Sequence, residues 1–158
     1  MNIAGGIDLG GTKIEAQRFD HNWDIGEKRR IDTPKTYPEL LSAMAVLITW
    51  LKDGDTPLPI GVATAGFVNP TTGVSIAANL PSHGQKFHRD LEAECNAAIT
   101  LINDCRAFVQ AEARFGSGYQ TGCMLGIVLA TGIGGAIAIN GCLVNNGHGQ
   151  SGEFGHLP

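Results

Sequence analysis

Two glycine-centred turns, one strand-end aspartate and one short loop holding a glutamate and a histidine have the residue types and spacing to do chemistry. Asp8-Leu9-Gly10-Gly11-Thr12-Lys13 is a tight turn between two apolar-patterned stretches. Successive N–H groups and a hydroxyl in such a turn can be aimed at a phosphate, and a carboxylate one strand-end away can hold Mg2+ through water. An ordinary hairpin turn is the alternative. Neither G-x-G-x-x-G nor G-x-x-x-x-G-K-[ST] is present, so the two commonest phosphate loops, which open a helix, are excluded. Thr131-Gly132-Ile133-Gly134-Gly135 repeats the arrangement far downstream, which suits a nucleotide held between two similar halves. Asn103-Asp104 stands where a buried strand gives way to a helical pattern. Asp104 there either caps the helix or faces a cleft and takes the proton of a substrate hydroxyl. Gly152-Glu153-Phe154-Gly155-His156 sets a carboxylate and an imidazole between glycines, either as solvated loop residues or as hydrogen-bond partners for a polyol.

These groups need a scaffold, and the hydrophobic pattern supplies one. Ile3 to Leu9 reads as a buried strand, Ile14 to Phe19 as a half-buried one, and Ile25 to Ile31 as a third that completes a meander. Leu40, Met44, Leu47, Ile48 and Leu51 fall on one face of a helix over Tyr37 to Lys52, with Pro38 in its first turn. Leu58 to Ala63 is a short buried strand, Phe67 to Gly73 a turn and Val74 to Ala77 an edge strand. Phe87 to Cys95 is a helix, Ala98 to Ile102 a strand, and Asp104 to Phe115 a helix with Phe108, Ala111 and Phe115 facing inward. Cys123 to Leu129 and Ala136 to Asn140 form a second hairpin around the Thr131 to Gly135 turn. This order predicts an α/β fold, a mixed five-stranded sheet flanked by helices over residues 1–118, with a second similar domain begun over 119–158. The final hairpin has nothing after it to cover its edges, so we expect the N-terminal part of a chain about twice as long, inactive alone.

Composition narrows the partners. Glycine makes up 22 of 158 residues, about twice the usual share, and is clustered at residues 5 to 11 and 116 to 155, with none from Gln85 to Phe115. A net charge of −4 offers no basic surface for nucleic acid or an anionic membrane. The N-terminus lacks a basic segment and a long apolar run, and no stretch approaches the roughly 20 residues of a membrane helix, so a cytoplasmic protein is expected. Cys95, Cys105, Cys123 and Cys142 are too widely spaced for a paired zinc knuckle and are expected as buried free thiols.

DLGGTK at Asp8 to Lys13, NLP at Asn79 to Pro81, IND at Ile102 to Asp104, ATGIGGAIAINGCLV at Ala130 to Val144 and GEFGH at Gly152 to His156 together resemble the ROK family of sugar kinases. The resemblance implies the actin-like, hexokinase-like ATPase (ribonuclease H-like) fold. It also implies ATP-dependent phosphorylation of the 6-hydroxyl of a hexose or N-acetylhexosamine. TPK-x-YPELL at Thr33 to Leu41, AANLP and GEFGH look most like members acting on N-acetylglucosamine, with those acting on glucose or N-acetylmannosamine close. On the family's pattern Asp104 is the base and Asp8 orients hydrated Mg2+. Gly10, Gly11, Thr12, Lys13, Thr131, Gly132 and Gly134 hold ATP phosphates, and Asn79, Asn103, Asp104, Glu153 and His156 bind the sugar. Gly66 allows close backbone approach to it. His156 also ligates a structural zinc in the family, with three downstream cysteines that this sequence does not contain, so Zn2+ is expected only in a complete chain. A homodimer is the expected assembly of such a chain. Ala65, Cys105 and Asn146 depart from the family's proline, alanine and glycine. A sugar-sensing regulator of the same family is the alternative. Such regulators carry a helix-turn-helix before the DLGGT strand, for which a strand starting at Ile3 leaves no room.

Overall fold

The computed structural model describes residues 2–52, 58–69, 71–129, 132–144, 152 and 154. The chain divides into two compact units, Met1–Ile102 and Asn103–Pro158. The first unit is built on a five-stranded mixed sheet. Its strands are β1 (Asn2–Leu9), β2 (Lys13–Asp20), β3 (Ile25–Asp32), β4 (Ile60–Thr64) and β7 (Thr100–Asn103), in the order β3-β2-β1-β4-β7. The meander β1-β2-β3 is antiparallel, and β4 pairs parallel to β1 in a register that sets Leu9 against Thr64. A two-stranded ribbon, β5 (Phe67–Val68) and β6 (Ser75–Ile76), occupies the stretch expected as a turn and an edge strand.

Helix α1 (Tyr37–Lys52) buries the face its periodicity predicts: Leu40, Met44, Leu47, Ile48 and Leu51 are all closed to solvent. They pack with Ile7, Leu9, Ile14, Ile60 and Val62 of the sheet and with Phe87 and Leu91 of α2 (Phe87–Cys95). At the start of α1 the Thr36 hydroxyl donates to Glu39 Oε2 at 2.7 Å, pairing the two polar positions of a Thr-x-x-Glu signature. The Tyr37 hydroxyl donates to Asp90 Oδ2 at 2.8 Å and clips α1 to α2. Burial, then the Asp90 carboxylate, raises the Tyr37 pKa above the ordinary value. Unfolded tyrosine ionises near pH 10 while the native hydroxyl stays protonated, so this contribution is complete below about pH 10 and is lost as pH rises from there. Tyr37→Phe is therefore expected to cost about 1 kcal/mol at pH 8. The gap to the parent narrows in melts above about pH 10.

On the outer strands Glu15 collects Lys28 at 2.7 Å, Lys13 at 3.4 Å and Arg30 at 3.5 Å, and its pKa is lowered, mainly by Lys28. The Trp50 ring lies under two guanidinium groups, Arg18 at 4.4 Å and Arg29 at 4.7 Å.

The second unit holds α3 (Asp104–Phe115) against a three-stranded antiparallel sheet. Its strands β8 (Cys123–Leu129), β9 (Ile133–Ile139) and β10 (Cys142–Leu143) run in the order β10-β9-β8. The division at Ile102 differs from the boundary expected after residue 118, because α3 shares its core with the second sheet: Val109 and Ala113 pack with Ala136 and Ala138. The inward face of α3 also departs from expectation. Arg106, Val109 and Ala113 face in, whereas Phe108 is 49% and Phe115 66% exposed, and Ala111 is exposed too. Side-chain size misleads here because the sheet is carved for a small helix face: a Cβ on Gly126 would stand 2.3 Å from Val109 Cγ2. Val109→Ala should cost about 2 kcal/mol in a thermal melt and Phe108→Ala less than half of that.

Strand β9 begins at Ile133, three residues before the expected start, so Gly134 and Gly135 belong to the strand and pair with Val128 and Ile127. The opposite face of this sheet presents Leu125, Ile127, Leu129, Ile133 and Ile139 to solvent. The four cysteines are free, but Cys123 and Cys142 are exposed and Cys95 and Cys105 only partly covered, so burial of the thiols is not borne out. Edge positions on small strands explain the two exposed ones. No helix among the described residues is long and apolar enough to cross a membrane.

Candidate active site

In the first unit the β1–β2 turn is closed by its own backbone. Gly10 N–H donates to Lys13 C=O at 3.0 Å, and the Thr33 hydroxyl donates to Gly10 C=O at 2.7 Å. Thr33 N–H donates to Thr12 C=O at 3.0 Å, so the residue that follows β3 braces the turn from outside. Gly10 N–H is thus engaged inside the hairpin, which leaves Gly11 and Thr12 as the turn's candidate phosphate donors. Lys13 Nζ turns to Glu15. Asp8 sits exposed near the end of β1, on the face away from Ile7 and Leu9.

Asn79 meets this turn. A Cβ on Gly11 would lie 3.2 Å from both Asn79 Cβ and Asn79 O, so the missing side chain is what lets the Asn79 segment approach. Gly66, at φ +82°, lies against the same segment two residues earlier, where a Cβ would stand 2.1 Å from Ile76 O and 2.9 Å from Ala77 Cα. Three residues singled out in the sequence, Gly11, Gly66 and Asn79, are therefore brought together by one packing arrangement.

In the second unit Asp104 opens α3, but it does not cap it. The N-cap is Asn103, whose Oδ1 accepts Arg106 N–H at 3.1 Å. Asn103 Nδ2 donates to Asp104 Oδ1 at 3.1 Å, and Cys105 N–H donates to the same oxygen at 2.8 Å. Both bonds fall on Oδ1, which fixes the carboxylate's orientation and directs attention to Oδ2. The carboxylate borders a pocket of about 390 Å³ shared with Cys105, Phe108, Ile127, Val128 and Leu129.

Cys105 links Asp104 to the start of β9: a Cβ on Gly134 would lie 2.5 Å from its Sγ. Gly132 lies in open space. Gly152, at φ +101°, presses on β9, with a would-be Cβ 2.3 Å from Gly135 O, and the Phe154 ring covers Gly135. Gly152 and Phe154 are thus seated on the strand that carries Gly134. Thr131, Glu153 and His156 lie outside the described residues.

Two residues passed over in the sequence support this unit. Arg106, 7% exposed, donates from Nη2 to Val144 C=O at 3.1 Å. Gln110 donates to Gly141 C=O at 2.9 Å and accepts Leu143 N–H at 3.3 Å, gripping the β9–β10 turn. Polar positions on an amphipathic helix read as solvated, so the sequence carried no signal for either.

The donor set fits hydrated Mg2+ through Asp8, a single exposed carboxylate beside candidate phosphate donors. Among the described residues, which do not include His156, no three His, Cys, Asp or Glu side chains cluster.

Residues 4–158 match the ROK family, and the chain belongs to it. It is 34% identical to the N-acetyl-D-glucosamine kinase of Pectobacterium atrosepticum over 158 residues, covering 96% of this chain and 51% of that protein. It is 35% identical to the N-acetylgalactosamine kinase AgaK of a Shewanella species over 156 residues, covering 96% of this chain and 50% of that protein. The structure superposes on the ROK family glucokinase of Streptomyces griseus, solved with glucose and AMPPNP, with a TM-score of 0.84 at 28% identity over 98% of this chain and 50% of that one. The chain spans about half the length of the curated relatives it matches. Its fold is the hexokinase-like ATPase α/β fold of that family.

Proposed function

We propose that the protein carrying this chain phosphorylates the 6-hydroxyl of an N-acetylhexosamine or hexose at the expense of ATP, with N-acetylglucosamine as the leading acceptor. The observation that carries the reading is the division of labour at the start of α3. Asn103 caps the helix, so the Asp104 carboxylate is held in place without being needed for capping. Asp104 Oδ2 takes the proton of the attacking hydroxyl while Oδ1 stays bonded to Asn103 and Cys105. When bound, ATP with Mg2+ supplies the phosphoryl group and the cationic charge that offsets its oxygens. Because the transition state of such transfers is loose, position and charge placement matter more than the strength of the base. Gly11 and Thr12 offer N–H groups and a hydroxyl to phosphate oxygens, Asp8 holds the hydrated metal, and Gly134 lets the start of β9 lie close to Cys105, the neighbour of Asp104. Asn79, set against Gly11, presents an amide to sugar hydroxyls. Relatives named for N-acetylglucosamine and N-acetylgalactosamine support an N-acetylated acceptor.

An ADP-coupled assay of the protein with N-acetylglucosamine, N-acetylgalactosamine, N-acetylmannosamine and glucose tests the reading. Turnover highest with N-acetylglucosamine is expected; no turnover with any of the four sinks it.

A further inference from the structure

Asn79 rides on a strap, residues 75 to 85, whose two ends are joined by the backbone. Ser75 N–H donates to Gln85 C=O at 2.8 Å, and Gly84 N–H donates to Ser75 C=O at 2.9 Å. Within the strap His83 N–H donates to Leu80 C=O at 3.1 Å, Gln85 N–H to Ser82 C=O at 3.0 Å, and the buried Ser75 and Ser82 hydroxyls stand 3.4 Å apart. Leu80, buried in the first core, pins the middle. The limb leading to Asn79 is held differently. Ala77 N–H, two residues before Asn79 and packed on Gly66, donates to the ring Nδ1 of His83 at 3.3 Å. Accepting there places the neutral ring's proton on Nε2. The imidazole is thus the cross-brace between the outgoing and returning limbs of the strap.

We propose that His83 is a positioning residue for the sugar: its Nδ1 holds the Ala77 limb so that the Asn79 Cβ and carbonyl stay against Gly11, from where the side-chain amide receives the acceptor's hydroxyls. This rests on the sugar-binding reading of Asn79 given above. Asn at this position puts its Oδ1 where Nδ1 stands and keeps the acceptor, whereas Leu removes it.

Amide exchange of Ala77 is followed in the 158-residue chain, and steady-state kinetics in the protein that carries it. With one net hydrogen bond worth a factor of about 2 to 12, His83→Leu is expected to speed Ala77 exchange and to raise the sugar KM by that factor. The kcat and the ATP KM stay within about twofold, and His83→Asn restores both readouts. Unchanged Ala77 exchange in His83→Leu overturns the proposal. So does a variant in which kcat and the ATP KM move as much as the sugar KM, since that is general loosening. A parent protein that turns over no sugar overturns the kinase reading and this role with it, and is told apart by Ala77 exchange that still responds to His83→Leu.

Discussion

Asp104→Asn in the protein that carries this chain is expected to lower kcat by about 10²- to 10⁴-fold, the range that a positioned general base contributes. The amide keeps the shape of the carboxylate and its Oδ1 can still accept from Asn103 Nδ2 and Cys105 N–H, so the start of α3 should stay intact. What is lost is the oxygen able to take a proton. Sugar affinity, measured by titration without ATP, should change by only a few-fold. Because Asn103 supplies the cap, the thermal midpoint should also hold within the ±0.5 kcal/mol typical of substitutions that break no special feature. Near-normal turnover removes Asp104 from the reaction. A large fall in midpoint instead makes it a structural residue.

The second large effect is one of stability. Gly66→Ala places a Cβ 2.1 Å from Ile76 O at a residue whose φ is +82°, so the substitution meets both a backbone clash and a left-handed conformation. A cost of about 3 kcal/mol or more is expected, which for a unit of this size lowers the midpoint by roughly 12 °C. Gly73→Ala is the matched control. Its φ of +70° carries the same conformational cost, but no atom lies within 4 Å of the new Cβ, so about 1 kcal/mol is expected. Equal effects at the two positions would show that the packing of Gly66 on the Ala77 limb does not matter.

The parts of this protein legible in its sequence are those where one face is buried and the other wet. The periodicity of α1 names its five core residues, and the alternation in β2 names its inward side. The glycine turns mark the β1–β2 and β8–β9 connections. What misled was size taken for burial: Phe108 and Phe115 point out because glycine and alanine in β8 and β9 admit Val109 and Ala113 instead. The approach of Asn79 to Gly11 was beyond reach of pattern, since it joins residues far apart in the chain through a side chain that is absent. Cross-chain polar ties such as Ala77 to His83 and Arg106 to Val144 leave no periodic trace either.

The placement of Trp50, stacked under Arg18 and Arg29, also makes the 158-residue chain its own optical probe. Both tryptophans, Trp23 and Trp50, belong to the first compact unit, and the second has none. Excitation at the red edge of the indole band therefore reports on residues 1–102 alone, whereas far-ultraviolet circular dichroism sums over both units. A denaturation in which the two signals coincide means that the units melt together. A lag between them gives the separate stability of the unit that bears Asp104, with no label added.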